Sequence, residues 1–178
     1  MEKAAKDEAV NVVIRECGDV GKEGFPLVTV ISDYMWGKGS YRNKYNSMSG
    51  TVGIGIAGYR TKKVLHLEVR NKYCAICDRE HRKSNIPPHK CYNRWTGPST
   101  AKEADGIVAG LTKSIPLHGL KYARLFNDGD SSVHKKQNEY LPYGPDVLVA
   151  KIEFRNHILR NYADRLLELS LNKTIGTV

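Results

Sequence analysis

The chain has 178 residues, of which 40% are hydrophobic, and it carries a formal net charge of +9 at pH 7. This length suits one domain with a real core, and the apolar fraction excludes wholesale disorder. Positive charge of this size favours polyanionic partners, nucleic acid first, although a basic protein without such a partner has the same composition.

The sequence predicts no membrane segment and no secretion signal. No apolar run approaches the roughly 20 residues that cross a bilayer, and the opening MEKAAKDE lacks the apolar stretch of a signal peptide. We therefore expect an intracellular chain whose four cysteines are mostly reduced.

The N-terminal part predicts a helix, a loop and a strand. Residues 4–16 read as a short helix, and residues 18–26 read as a loop rich in glycine and charge. The β-branched run at 27–31 is typical of a buried central strand that ends at Ser32 and Asp33.

A predicted hairpin follows. A glycine-rich extended stretch lies within 45–57, and residues 64–69 alternate between apolar and polar. The alternation places Leu65, Leu67 and Val69 on one face of the third strand.

Residues 73–98 interrupt this pattern with three cysteines, two histidines and a proline pair, and they predict an irregular insertion. A helix with apolar residues at helical spacing comes next. Thr100 and Glu103 form a capping box at its start, and Gly119 is its expected stop.

The C-terminal part predicts alternating strands and helices: a strand at 120–126, a short helix at about 131–140, a strand at 147–152, and a last helix with Leu159, Tyr162, Leu166 and Leu169 on one stripe. The order β-β-β-α-β-α-β-α puts hairpins before units that demand parallel pairing. It predicts an α/β fold with a ribonuclease H-like mixed sheet and a cysteine/histidine insertion loop. We expect residues 1–26 to form a helix and linker, and residues 27–178 to form the core.

The segment FNDGDSSV at 126–133 has three interpretations. It can be a surface turn, since Asp-Gly is a common turn pair. It can be a calcium loop with Asp128 and Asp130 as its first ligands. Such a loop, however, needs glycine at the position of Val133, and it needs a helix in the preceding segment, where a strand is predicted. A Mg²⁺ or Mn²⁺ site would form if the strands ending at Asp33 and Asp128 are parallel neighbours, about 4.8 Å apart.

The insertion carries a candidate zinc site. Cys74 and Cys77 form a CxxC pair, and His89 and Cys91 supply a second pair, which completes a tetrahedral donor set. His81 is the rival nitrogen ligand. The alternative is reduced cysteines in a flexible loop, but an insertion with little apolar content needs a ligand to hold it.

The loop after the first strand carries a candidate DNA-binding surface. Lys38, Arg42 and Lys44 alternate with Tyr41 and Tyr45. Such a mixture contacts phosphates and stacks on unpaired bases, and it is equally typical of a solvated face.

Four separated blocks carry a family resemblance: SDYMWGKGSYRNKYNSMSG (32–50), NKYCAICDREHRKSNIPPHKCYNRWTGPSTAKEAD (71–105), NDGDSSV (127–133) and KIEFRNHILRNY (151–162). Together, over about residues 8–170, they resemble the Mutator-like transposase domain, a DDE-type transposase core of animal mobile elements. The resemblance implies a ribonuclease H-like fold, action on DNA in the nucleus, and catalytic aspartates at Asp33 and Asp128. Asp130 is a close rival of Asp128.

The resemblance also implies accessory positions. Trp36 and Lys38 match the aromatic and basic positions after the first aspartate. Glu103 matches a glutamate at the start of the helix, where the capping box is an equal explanation. His157 matches one member of a Cys-x-x-His pair and would contact DNA or order the active site; a structural role is its alternative.

Departures from the family pattern predict a weakened enzyme. Tyr34 replaces a small residue and is expected to crowd the metal, while Gly39 replaces arginine and Phe154 replaces the cysteine of the pair. The third catalytic acid is expected past the end of this chain, and Asp164 or Glu168 would substitute by spacing alone. We therefore expect a truncated DDE core that is inactive alone, with a homo-oligomer as a partner state to test. The alternatives are a DNA- or protein-binding module derived from such a core and an inert remnant of one.

Overall fold

Helices and strands fill most of the chain in the computed structural model, which describes residues 1–15, 18–37, 50–80, 87–127 and 131–171. The helices are α1 Glu2–Arg15, α2 Ala75–Glu80, α3 Lys102–His118, α4 Ser131–Tyr140 and α5 Arg155–Leu171, with a 3-10 turn at Ser99–Ala101. The strands are β1 Leu27–Trp36, β2 Val52–Gly58, β3 Val64–Arg70, β4 Lys121–Asn127 and β5 Ala150–Ile152.

The strands form one mixed sheet in the order β3-β2-β1-β4-β5. The pairs β1–β2 and β2–β3 are antiparallel, whereas β1–β4 and β4–β5 are parallel. An α/β fold with a mixed sheet is therefore confirmed. The first and fourth strands are parallel neighbours, which is the condition set above for a cation site at Asp33 and Asp128, and their last pair is Ser32 with Asn127.

The hydrophobic core lies on one side of the sheet, between the strands and helices α1, α3 and α4. Buried residues of β1, β2 and β4, such as Val30, Ile54 and Leu125, pack in one cluster with Ile107 and Leu111 of α3. We call this side the helix-covered face.

The other side of the sheet, which we call the open face, includes Asp33, Met35, Gly53, Gly55, Leu67 and Val69. Met35, Leu67 and Val69 are 77%, 61% and 41% exposed. The apolar side of β3 beyond Leu65 therefore faces outward, which the alternation of this strand did not predict. The pairing of β2 with β3 shifts between Ile56, which pairs with His66, and Ala57, which pairs with Val64. Leu65 is therefore an extra residue in β3, and it is buried together with His66.

An ion-pair network covers the inward side of β3. Arg70 donates to Glu68 at 2.6 Å and to Asp105 of α3 at 2.9 Å, and Lys113 donates to Glu68 at 2.8 Å. Lys136 of α4 donates to Asp105 at 3.0 Å. Because these charges are paired, a polar side of β3 can pack against the helices.

The last helix stands apart from this core. Its predicted stripe forms, but Leu159, Tyr162, Leu166 and Leu169 are each between 49% and 64% exposed. Phe154, just before α5, packs against Phe126 with ring centroids 5.5 Å apart, and Phe126 stacks on Tyr59 at 4.9 Å.

Four local predictions need correction. Strand β1 continues past Asp33 to Trp36, because its last residues pair with β2. Strand β5 is limited to Ala150–Ile152, where it pairs with β4. The insertion contains a short helix, α2. The capping box is wrong, because the N-cap of α3 is Ala101 and makes no side-chain cap. Gly119 ends α3 in the left-handed conformation, as predicted.

Candidate metal centres and nucleic-acid interface

The four predicted zinc donors lie together in the insertion. The ligand atoms of Cys74, Cys77, His89 and Cys91 all lie within 4.8 Å of one another. His89 Nε2 is 3.4 Å from Cys74 Sγ and 3.3 Å from Cys77 Sγ, and the sulfurs of Cys77 and Cys91 are 3.6 Å apart. His81, the rival ligand, lies outside the described residues.

These distances fit a tetrahedral metal site. Zn–S bonds of about 2.3 Å and Zn–N bonds of about 2.0–2.1 Å put neighbouring donors roughly 3.5–3.8 Å apart in a tetrahedron. The other ring nitrogen of His89, Nδ1, is 2.9 Å from the carbonyl oxygen of Pro87. That bond orients the ring and leaves Nε2 for a metal. The cluster can therefore bind a metal such as zinc.

The local backbone favours ionisation of one thiol. Cys74 directly precedes α2, and backbone N–H groups of Cys77 and Tyr92 lower the pKa of Cys74 to about 6. The hydrogen bond with Cys91 and burial raise the pKa of Cys77 to about 11. Thiolates are the form that binds metal, so Cys74 is the donor closest to that form at neutral pH.

Asn71 holds the two ends of the insertion against the sheet. Its carbonyl oxygen accepts the N–H of Arg94 at 2.8 Å, and its side chain bonds the backbone of Tyr73 on both sides. Thr51, at the start of β2, donates to Asn71 Oδ1 at 3.0 Å. The Cys/His cluster is thereby fixed relative to the end of β1, where Trp36 pairs with Val52.

Asp33 lies on the open face, one residue beyond the last parallel pair of β1 and β4. Its carboxylate accepts the N–H of Tyr34 at 2.8 Å. The residue opposite Asp33 on β2 is Gly55. A Cβ added to Gly55 would have the carbonyl oxygen of Asp33 as its nearest neighbour, at 4.0 Å. An exposed carboxylate beside a glycine has room for a hydrated cation.

Tyr34 does not crowd this position. Its ring is partly buried and packs against the hydrophobic core, on the helix-covered face. Because side chains alternate along a strand, Tyr34 and Asp33 point to opposite sides of β1. The expectation that the ring would obstruct a metal at Asp33 is therefore wrong.

Two buried polar side chains lie at the same end of the parallel strands. Ser32 and Asn127, which pair across β1 and β4, are 2% and 3% exposed. Within the described part of the chain, neither the hydroxyl of Ser32 nor either amide atom of Asn127 has a hydrogen-bond partner. Buried polar atoms normally have partners, so these two side chains are the polar groups of this sheet end that the described residues leave unbonded.

Trp36, Glu103 and Lys102 form a second polar group, at the first turn of α3. Trp36 Nε1 donates to Glu103 Oε1 at 2.7 Å. The ammonium of Lys102 lies 5.6 Å from the centre of the Trp36 ring and donates to the carbonyl oxygen of Gly50. Glu103 thus has a partner 67 positions away in the chain, in place of the predicted capping role.

Lys102 is a feature that sequence reasoning missed. It is fully buried, and burial, followed by the nearby charge of Lys72, lowers the pKa of its ammonium. Among the described residues, no carboxylate forms an ion pair with it. A lysine in the first turn of a helix is ordinarily solvated, so only the packing of Trp36 and Gly50 around it reveals the burial.

Several predicted site residues cannot be located. Asp128, Asp130, Lys38, Arg42 and Lys44 lie outside the described residues. His157 falls within α5, but its side chain is not among the described ones. Asp164 and Glu168 are exposed on α5, and Glu168 pairs with Arg165 at 3.2 Å.

Comparison with known proteins identifies the family. Within the described part of the chain, no helix is long and apolar enough to span a membrane. No curated protein and no solved structure matches the chain. The family model of the Mutator-like transposase matches residues 1–177. That match covers nearly the whole chain and agrees with the four sequence blocks, so the chain belongs to the Mutator-like transposase family.

Proposed function

We propose that the chain is a DDE-type transposase core with a ribonuclease H-like fold, in which Asp33 and Asp128 hold Mg²⁺ or Mn²⁺ and DNA is the substrate. The observation that carries the proposal is the parallel pairing of β1 and β4, which ends at Ser32 and Asn127. In the sequence, Asp33 follows Ser32 and Asp128 follows Asn127. Residues that follow paired positions of neighbouring parallel strands are expected beside each other, so we infer that the two carboxylates lie close enough to share a cation.

The proposed site has the donors that such ions prefer. Asp33 supplies a hard oxygen ligand on the open face, beside the space left by Gly55. When bound, two such ions activate a water or 3′-hydroxyl and stabilise the leaving oxygen in phosphodiester transfer. The excess of positive charge would hold the DNA by its phosphates, with Lys38, Arg42 and Lys44 as proposed contacts and the nucleus as the place of action.

We propose that no third carboxylate among the described residues completes this site. The candidates Asp164 and Glu168 are exposed on a helix whose stripe is exposed as well. Glu103 bonds Trp36, whose side chain lies on the helix-covered side of β1, opposite Asp33. We therefore propose that the chain alone binds DNA and a divalent ion but cleaves DNA weakly.

Zinc bound at the Cys/His cluster would have a structural role and not a catalytic one. Three thiolates and one imidazole leave no open coordination position, which is typical of structural sites. The bonds of Asn71 connect that cluster to the start of β2. This arrangement favours a second candidate function, a DNA- or protein-binding module without chemistry that keeps the zinc insertion and has lost the active site.

Metal binding and strand cleavage separate the two functions. Mn²⁺ binding is measured by titration calorimetry on the zinc-loaded chain, and nicking is measured on supercoiled plasmid with Mn²⁺. For the transposase core we expect one weak Mn²⁺ site that Asp33→Asn and Asp128→Asn each remove, with a trace of nicking that they also remove. Asp146→Asn, at an exposed turn residue, is the matched control and should change neither.

DNA binding without any Mn²⁺ site would favour the binding module. Robust nicking by the unaltered chain would contradict the proposal that a third acid is missing. Absence of DNA binding at low salt would overturn both functions.

A further inference from the structure

The indole of Trp36 is exposed yet held in one orientation. The residue is 42% exposed. Its N–H is bonded to Glu103 and its ring lies beside the Lys102 ammonium. An aromatic ring whose polar atom is already satisfied presents only its apolar surface to a ligand. The ring also loses little conformational freedom when a ligand binds, because it is already fixed.

The surroundings of the ring carry positive charge. Lys102 is buried with no ion-pair partner among the described residues, and after burial the positive charge of Lys72 is the second cause that lowers the pKa of its ammonium. Both lysines lie beside Gly50, where an added Cβ would stand 3.0 Å from Lys102 Nζ and 3.8 Å from Lys72 Cβ. Lys102 lies beside the ring, and Lys72 lies beside the Gly50 that Lys102 contacts. An exposed apolar ring with a partly exposed lysine near it matches a ligand that combines a flat ring with a negative charge.

We propose that Trp36 is a stacking platform for an unpaired nucleobase, with Lys72 binding the adjoining phosphate and Lys102 and Glu103 positioning the indole. This inference rests on the proposed function, since it names the form of DNA that the same protein would hold. A base pair inside a duplex hides its flat faces, so the platform would act on single strands or on bases that leave the helix.

The position of Trp36 suits that role. It is the last residue of β1, three positions after Asp33, and its side chain lies on the opposite side of the strand. A base stacked there would hold its strand at the end of β1 without covering the Asp33 carboxylate. Stacking and metal binding would therefore be separable by mutation.

Tryptophan fluorescence tests the platform directly. The chain has two tryptophans, so Trp95→Phe leaves Trp36 as the only reporter. The zinc-loaded Trp95→Phe chain is titrated with single-stranded oligothymidine and with a duplex of equal length. We expect the single strand to quench the emission and the duplex to quench it much less.

Affinity measurements supply the second readout. Base–aromatic stacking is worth a factor of about 5–150 in affinity per base, so Trp36→Ala should weaken single-strand binding by that factor and duplex binding far less. Trp36→Phe keeps a ring and loses the bond to Glu103, so its loss should be intermediate. Lys72→Gln should lower the slope of log K against log[salt] for single strands by about 0.7 while the quenching remains. Circular dichroism checks that each variant is folded.

The outcomes distinguish the two proposals. Equal binding of both DNA forms, without quenching and without an effect of Trp36→Ala, would overturn the platform and leave the transposase core standing. Failure to bind either DNA form would overturn the proposed function and the platform together.

Discussion

Loss of one donor from the Cys/His cluster should weaken zinc binding by two to three orders of magnitude. Structural zinc sites with four donors have apparent binding free energies of about 10–16 kcal/mol at pH 7. An equal share for each of the four donors is about 2.5–4 kcal/mol, which is roughly 10²–10³-fold in affinity. Cys91→Ser removes one of the three sulfurs, 3.6 Å from Cys77 Sγ. It is the mildest such change, because Cys91 is exposed.

The assay is competition for zinc against a chromophoric chelator. We expect the unaltered chain to hold one zinc ion and Cys91→Ser to lose it at a chelator concentration two to three orders of magnitude lower. Cys17→Ser is the matched control, since it makes the same substitution at the one cysteine that is not among the predicted donors. A chain that holds no zinc, or a Cys91→Ser variant with unchanged affinity, would refute the structural reasoning.

The choice between the two histidines follows from the same assay. His89→Gln should weaken zinc binding by a similar factor, because His89 Nε2 lies within 3.4 Å of two sulfurs. His81→Gln should leave the affinity unchanged. The reverse result would assign the nitrogen ligand to His81.

Two further predictions concern the fold. Gly58→Ala should destabilise the chain by about 1–3 kcal/mol in urea unfolding. The reason is that its Cβ would lie 2.3 Å from the Glu8 carboxylate, which accepts the backbone N–H of Arg60. Gly53→Ala in the same strand is the control and should be nearly neutral, because the nearest atom to its Cβ would be 3.9 Å away. Burial raises the pKa of Tyr143 to about 12 from 10.0. Above pH 10 the tyrosine therefore ionises in the unfolded chain but not in the folded one. The free energy of unfolding should keep its full value below pH 10 and fall by about 3 kcal/mol between pH 10 and 12. Ultraviolet titration should show this tyrosine ionising only as the protein unfolds, and ionisation near pH 10 in the folded chain would contradict the prediction.

Patterns local in the sequence predicted the sheet well. The run at 27–31 is apolar except for Thr29 because β1 is central, with β2 on one side and β4 on the other. The alternation of strands and helices in the second half of the chain predicted parallel pairing there, and the structure has the parallel pairs β1–β4 and β4–β5. The CxxC and HxC pairs predicted the donor cluster, because metal ligands keep characteristic spacings.

Features that depend on distant partners were not predicted. The side of β3 that faces the helices carries Glu68 and Arg70, and only their ion pairs with Lys113 and Asp105 make that burial possible. A one-residue shift in the pairing of β2 and β3 changes which side chains point inward, and no local pattern shows it. The bond between Trp36 and Glu103 likewise joins residues that only the fold brings together.

The exposure of α5 has a consequence for how the molecule opens. Its 17 residues form a rod of roughly 26 Å, and most of the stability of a helix in a protein comes from the packing of its apolar face. The ion pair between Arg165 and Glu168 adds only a few tenths of a kcal/mol. Its amide protons should therefore exchange with solvent far faster than those of β1 and β4, and limited proteolysis should remove this segment while the sheet stays intact.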